Sequence, residues 1–467
     1  MMNSNSNSIS KKSTKTTKVV MFPWLGYGHI SPFLELAHKI TSHNDRFKVY
    51  LVSTIATLSS VEHKVLDRSI KLLPILLPAT PDLPRSLHTT NGLPPSLMPS
   101  LKTAMNSPDT ISKFSEILSD LKPDLIIYDF LQPWLPALAR DLSIPAVQFV
   151  TSSCTMASLM CHYFKNPAGD LPYPFPEIRF RDYESRELEK MLECAKHPTD
   201  RDMVFRGIEE SCGIVLVKGF RAMEGPYMDY AGSLLGKRIV PVGPLVEFPD
   251  PKKSSSDRQG SEILSWLDSK ERKSTVLVSF GSEYFLSRSD MDEIALGLEL
   301  SGVNFIWVVR FPKDSGLNGH ALVRSLPEGF LERARRSGRG RVVEGWAPQA
   351  KILCHENIGG FVSHCGWNSV MESVTFGVPV VALPMHLDQP VNARLVENAG
   401  VGVEVLREAD GRLRGEVLAE AVRLVVVEEG GEGVRWAAAA MLAGLAAKKD
   451  EEIDDVVREL TGLLGKN

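Results

Sequence analysis

The chain has 467 residues, 43 % hydrophobic and 24 % charged, with a formal net charge of −4. That length predicts two or three domains of an ordinary globular protein, and the charge gives no footing for a nucleic acid or an anionic membrane as partner. Six scattered cysteines (Cys154, Cys161, Cys194, Cys212, Cys354 and Cys365) form no CxxC pair, which argues against a zinc site or disulfide framework and for a reducing, cytoplasmic compartment.

Residues 1–18, MMNSNSNSISKKSTKTTK, are almost free of apolar side chains. They lack the core of a signal peptide and read as a disordered tail. An apolar run, KVVMFPWL, follows and breaks at Gly26 and Gly28 before a helical pattern. This outlines a strand, loop and helix of the dinucleotide-binding kind. Two departures oppose a nicotinamide cofactor. The third glycine position holds Ser31, and the next strand, VYLVST, ends in Ser53 and Thr54 rather than an acidic residue. His29 stands at the helix entrance instead. The positive end of the helix dipole disfavours an imidazolium there, so a neutral ring is available to take a proton from a hydroxyl.

Further apolar, β-branched runs are DLIIYDF, PAVQFV and GIVLVKGF. Runs apolar on both faces, alternating with helical patterns, predict a parallel doubly wound α/β sheet. Its ligands bind at the carboxyl ends of strands. Asp129, at such an end in DLIIYDF, is a candidate partner for His29, in the manner of a carboxylate orienting a histidine. Two irregular segments, PATPDLPRSLHTTNGLPPSLMPS and Thr151 to about Arg201, are candidate acceptor loops; Met156, Met160, Tyr163 and Phe164 offer apolar lining. The stretch 247–260, EFPDPKKSSSDRQG, reads as an exposed linker. It separates a first domain, 19–246, from a second, 261–450.

The second domain repeats the pattern in STVLVSFGS, NFIWVVR, GRVVEGWA, GGFVSHCG and VPVVALP. Its densest stretch runs from Trp346 to Gln389, WAPQAKILCHENIGGFVSHCGWNSVMESVTFGVPVVALPMHLDQ. GGFVSHCGWNS predicts strand, tight turn and helix, with His364, Gly366, Asn368 and Ser369 around a helix N-terminus suited to phosphate. Glu372 lies one turn further, placed for sugar hydroxyls, and Asp388 and Gln389 follow the next strand. Trp346 offers a flat indole to a base. Two Asp-x-Asp triplets, 200–202 and 290–292, resemble metal-binding pairs but read as acidic first turns of helices, and no metal is expected. The apolar stretch WAAAAMLAGLAA is too short to span a bilayer and reads as a packing helix.

The block from Trp346 to Gln389 resembles, without a gap, the signature of plant UDP-sugar-dependent glycosyltransferases (glycosyltransferase family 1). The similarity of layout covers nearly the whole chain. The resemblance implies a GT-B fold, two Rossmann-like domains facing a cleft, with residues 451–467 packing back on the first domain. It implies that Trp346 stacks on uracil, with Ala347 and Gln349 at the base and ribose and Glu372 on the ribose hydroxyls. His364, Asn368 and Ser369, helped by Ser282, would hold the diphosphate, Gly366 and Trp367 would belong to the same UDP-sugar site, and Asp388 and Gln389 would hold the sugar. His29 would be the base and Asp129 its partner, in an inverting reaction without metal or cofactor. Gln389 goes more often with UDP-glucose, although relatives with Gln use UDP-xylose or UDP-rhamnose.

HTTNGLPPSLMP, YDFLQPW and FGSEYF further resemble the branch-forming subgroup, which adds a sugar to a sugar already on an aglycone, and come near the enzymes of cucurbit triterpene glycosides. That implies a triterpenoid or flavonoid glycoside as acceptor, with Trp24, Glu283 and His386 near it, and a monomer as the working unit. The rival readings are transfer directly to an aglycone, a nucleotide-sugar epimerase and a non-catalytic UDP-sugar-binding protein. The complete signature opposes the epimerase, and the presence of both His29 and Asp129 opposes the binder.

Overall fold

Two parallel sheets organise the chain in this computed structural model, which describes residues 16–65, 67–193, 199–249, 258–281, 284–311 and 321–465. The first sheet contains β1 (Thr17–Phe22), β2 (Phe47–Ser53), β3 (Ile70–Pro74), β4 (Leu125–Tyr128), β5 (Ala146–Val150), β6 (Ile214–Val217) and β7 (Arg238–Pro241). Its order is β3-β2-β1-β4-β5-β6-β7. The second contains β8 (Thr275–Ser279), β9 (Asn304–Val309), β10 (Gly340–Glu344), β11 (Ile358–Ser363), β12 (Val380–Ala382) and β13 (Gly402–Glu404), in the order β10-β9-β8-β11-β12-β13. The strand order reverses beside β1 in one sheet and β8 in the other, which makes a crevice at each reversal. In register, Phe22 lies against Tyr128 and Ser279 against Ser363. The loops that follow each pair therefore start side by side.

Central strands β4, β5, β6, β8 and β11 are buried throughout, as sheets covered on both faces require. β3, β7 and β13 had no counterpart among the apolar runs of the sequence. All three are short edge strands, and β3 and β7 carry exposed residues.

Six helices matter for the site. They are α1 (Tyr27–His43), α2 (Cys154–Lys165), α3 (Asp182–Glu193), α4 (Trp367–Thr375), α5 (Gln389–Asn398) and α6 (Glu432–Leu464). The Ala-rich C-terminal segment is one continuous helix, α6, that packs on both halves. Ala437, Met441 and Leu445 pack with second-sheet residues such as Val380 and Val401. Ile453, Val456 and Leu460 join Val19, Phe33 and Val240 in the core under the first sheet. Among the described residues no helix is long and apolar enough to cross a membrane.

β1 begins at Thr17, inside the segment read as a tail, whose residues 1–15 lie outside the described part. The expected linker also lies partly outside it, at 250–257, and a helix starts at Arg258.

Ion pairs hold the two halves together. Arg181 Nη1 and Nη2 donate to Glu404 on β13 at 2.6 and 2.9 Å. Arg394 on α5 donates to both oxygens of Glu184 on α3 at 2.6 and 2.8 Å. Ser153, the cap of α2, donates to Asn392 Oδ1 on α5 at 2.6 Å.

Candidate active site

The reversal point of the first sheet brings His29 and Asp129 together. His29 Nδ1 lies 2.8 Å from Asp129 Oδ2 and 2.9 Å from Thr151 Oγ1. Asp129 is fully buried, while the His29 side chain keeps 25 % exposure toward the cleft. Backbone N–H groups of Trp24 and Phe130 donate to the two carboxylate oxygens at 2.9 and 2.8 Å. The carboxylate is thus fixed by the chain around it. An ionised carboxylate only accepts, so Nδ1 carries the proton of the neutral ring and Nε2 keeps its lone pair. That is the tautomer a general base needs.

The second sheet presents a helix N-terminus to the same cleft. Gly366 precedes α4, and His364 sits between β11 and that glycine. A Cβ at Gly281 or Gly366 would come within 2.6 or 2.5 Å of His364 Nε2. These glycines make room for the imidazole itself. Burial, with His386 nearby, pushes His364 down to about 3, so its ring is neutral at physiological pH. Among the described residues its Nδ1 is buried with no hydrogen-bond partner. Cys365, between them, takes φ of +62°, an uncommon conformation that the sharp turn imposes.

Further along α4, Glu372 accepts from Gln349 Nε2 at 2.6 Å, and the same nitrogen lies 3.2 Å from Ser369 Oγ. Burial raises the Glu372 carboxyl, opposed by that hydrogen bond and by Lys218. Asn368 reaches across the cleft and donates from Nδ2 to the Gly28 carbonyl at 3.1 Å. Trp367 faces away from the cleft centre. Its indole is 4 % exposed and donates to the Lys218 carbonyl at 2.6 Å, which leaves its backbone as the part to meet a ligand.

Asp388 and Gln389 open α5. Gln389 Oε1 accepts from the backbone of Met385 and His386 at 3.0 and 3.1 Å, so its NH2 group remains to donate. Asp388 accepts from Asn392 at 2.9 Å. Burial raises the Asp388 carboxyl, opposed by that bond, by a backbone hydrogen bond and by the nearby His29 ring. Leu387, just before it, takes φ of +60°. Trp346 is 58 % exposed with its ring free to stack, while Ala347 is buried behind it. Trp24 is buried with its N–H on Asp129, and His386 packs on Tyr284 with ring centroids 4.9 Å apart. Ser282 and Glu283 lie outside the described residues. Of the Asp-x-Asp triplets, Asp290 is engaged by Arg407 at 2.8 Å, and the side chains of 200–202 lie outside the described part.

His29, Thr151, His364, Asn368, Glu372, Asp388 and Gln389 line one cavity of about 2100 Å³, with Asp129 buried behind His29. A site for a single drug-sized ligand is roughly 300–1,000 Å³, so this cleft has room for two substrates at once.

Comparison with known proteins decides the family. Residues 15–247 match a family model described as "Glycosyltransferase, N-terminal domain", and residues 246–430 match "UDP-glucoronosyl and UDP-glucosyl transferase". A mogroside IIIx synthase of Siraitia grosvenorii is 47 % identical over 458 residues, covering 96 % of this chain and 93 % of the relative. The chain belongs to the plant UDP-sugar-dependent glycosyltransferases.

A beta-D-glucosyl crocetin beta-1,6-glucosyltransferase of Gardenia jasminoides is 45 % identical over 449 residues, covering 95 % of this glycosyltransferase and 98 % of that enzyme. The crystal structure of a UGT transferase from Siraitia grosvenorii in complex with UDP superposes with a TM-score of 0.76 at 25 % identity, covering 96 % and 100 % of the two chains. The fold of the glycosyltransferase is GT-B. Its sequence alone left three contacts unread: Thr151 on His29, Asn392 on Asp388, and Lys218 on Asn368. Thr151 and Lys218 each follow the end of a strand, the position that strand-end reasoning would have flagged.

Proposed function

We propose that this glycosyltransferase moves glucose from UDP-glucose, with inversion, to a sugar hydroxyl of a plant triterpenoid or flavonoid glycoside, forming a 1→6 or 1→2 branch. The observation that carries the reading is the buried Asp129 oriented on His29, in the same cavity as Asp388 and Gln389. A sugar held by Asp388 and Gln389 has its anomeric carbon near His29. His29 Nε2 takes the acceptor proton as the acceptor oxygen attacks that carbon, and UDP departs from the opposite face. The N-terminus of α4 stabilises the charge growing on the diphosphate. In this reading residues 19–246 hold the acceptor, 261–450 hold the donor, and the enzyme acts as a cytoplasmic monomer without metal or cofactor. The likeness to a mogroside IIIx synthase and to a glucosyl-crocetin glucosyltransferase supports a glycoside acceptor. Direct transfer to an aglycone, or use of UDP-xylose or UDP-rhamnose, is the second reading.

The test is incubation with UDP-glucose and a panel of flavonoid and triterpenoid aglycones and their monoglucosides, read by mass spectrometry, with and without chelator. Hexose gain on the glucosides, unchanged by chelator, is expected. Gain on aglycones alone overturns the acceptor class, and loss in chelator overturns the metal-free mechanism.

A further inference from the structure

Lys218 follows β6 at the carboxyl edge of the first sheet. It is 2 % exposed and yet lines the cleft. Its carbonyl accepts from Trp367 and its ammonium donates to Asn368 Oδ1, so it is pinned to the first two residues of α4. An ammonium has three N–H donors. Among the described residues, Asn368 is the one hydrogen-bond partner of Nζ, and it is neutral. The charged groups acting on it are Glu372 on α4 and Glu35 and Lys39 on α1. A buried ammonium with unused donors is costly unless an anion comes to meet it. A helix N-terminus that suits phosphate lies directly beside it.

Asn368 extends the contact to the base. Its Nδ2 donates to the Gly28 carbonyl, one residue before His29. Pro32 stands four residues after Gly28 inside α1 and has no N–H to close the helical bond to that carbonyl. The carbonyl is therefore available to the other half of the molecule. One amide links Lys218, the phosphate helix and the loop that carries the base.

We propose that Lys218 binds the diphosphate of the sugar donor and, through Asn368, ties the arrival of that diphosphate to the position of the His29 loop. This rests on the UDP-sugar transfer reading above. In the reaction the bond from C1 to the β-phosphate oxygen breaks, and its electron pair stays on the phosphate. The acceptor oxygen bonds to C1, and the acceptor proton goes to His29 Nε2. Lys218 forms no covalent bond; it answers the added negative charge. Its protonation supports the assignment. Burial pushes the ammonium down to about 7, opposed by Glu372 and Glu35, with Lys39 adding to the depression. Near neutral pH the empty cleft thus holds a mixture of amine and ammonium, and a bound diphosphate selects the ammonium.

Calorimetry of UDP-glucose binding at pH 8, in buffers of different ionisation enthalpy, reads this directly. The wild type should take up close to one proton per UDP-glucose and none with uridine. Lys218→Met should abolish the uptake and raise KM for UDP-glucose roughly 10- to 100-fold, the range for a lost hydrogen bond to a charged group. Absence of uptake in the wild type, persistence of it in Lys218→Met, or an unchanged KM each overturns the proposal. The wild-type proton count decides the matter even where the variant folds poorly. An enzyme that transfers sugar normally but shows no uptake sinks Lys218 alone; one that transfers from no UDP-sugar sinks the functional reading itself.

Discussion

In the proposed mechanism, replacing Asp129 by Asn removes the carboxylate that orients His29 while leaving the ring in place. Both oxygens of Asp129 are committed. Oδ2 accepts from Trp24 N–H at 2.9 Å and faces His29 Nδ1 at 2.8 Å, while Oδ1 accepts from Phe130 N–H at 2.8 Å. An amide substitutes a donor for one of these acceptors. With its NH2 at the Oδ1 position, it opposes the Phe130 N–H. With its NH2 at the Oδ2 position, it opposes the Trp24 N–H and forces Nδ1 to accept, which moves the ring proton to Nε2 and blocks the base. Either arrangement leaves a buried N–H without an acceptor, at about 1–3 kcal/mol of stability. In neither does a negative charge remain to stabilise the imidazolium that forms during transfer. The expected result is a kcat lower by roughly 10²–10⁴-fold, the range for losing general base catalysis. Affinity for UDP should hold, because the partners of Asp129 among the described residues all lie in the first half. UDP release at saturating substrates gives kcat, calorimetry gives UDP affinity, and thermal unfolding gives stability. A folded Asp129→Asn enzyme with kcat within about fivefold of wild type would refute the assignment, since that is far below what base catalysis supplies.

Two further predictions concern buried charge. Glu224 is fully buried, and burial holds its carboxyl up at about 8 against hydrogen bonds from the Thr155 N–H and hydroxyl and from the Cys154 backbone. The folded state keeps a proton that the unfolded chain releases at its ordinary value, so this contribution is full at low pH and is lost as pH rises through about 8. Glu224→Gln should raise the unfolding temperature at pH 8 and flatten its decline between pH 5 and 8; an unchanged slope in thermal unfolding across that range contradicts the reasoning. Arg394 sits between Glu184 and Glu404, with side-chain exposures of 7, 4 and 1 %. Arg394→Met leaves buried carboxylates short of a counter-charge and should cost about 3 kcal/mol in urea unfolding; a loss below about 1 kcal/mol, the scale of an exposed pair, places those carboxylates in solvent instead.

The two-sheet layout was legible because fully buried parallel strands must be apolar along their whole length. All ten such runs, from KVVMFP to VPVVALP, became strands. The three missed strands lie at sheet edges, where Lys71 and Arg238 are exposed and no apolar run is required. The residues of the cleft were legible for a similar reason. His29, Asp129, His364 and Asp388 each sit just beyond a strand or at a helix entrance, and those positions can be read along the chain.

What the chain could not state is which ends meet. Asp129 lies 100 residues from His29, and Asn368 lies 150 residues from Lys218. The sequence by itself determined the residue types, their places at strand ends, and the glycines and Pro32 that free the backbone for unusual contacts. Only the tertiary structure decided that Thr151 shares the Nδ1 of His29, that the glycines cradle His364, and that one asparagine joins two halves through a carbonyl left open by Pro32. Strand-end positions follow from local hydrogen bonding and burial. The contacts across the cleft depend on sheet order and on how the two halves pack, and neither is encoded in any short stretch of chain.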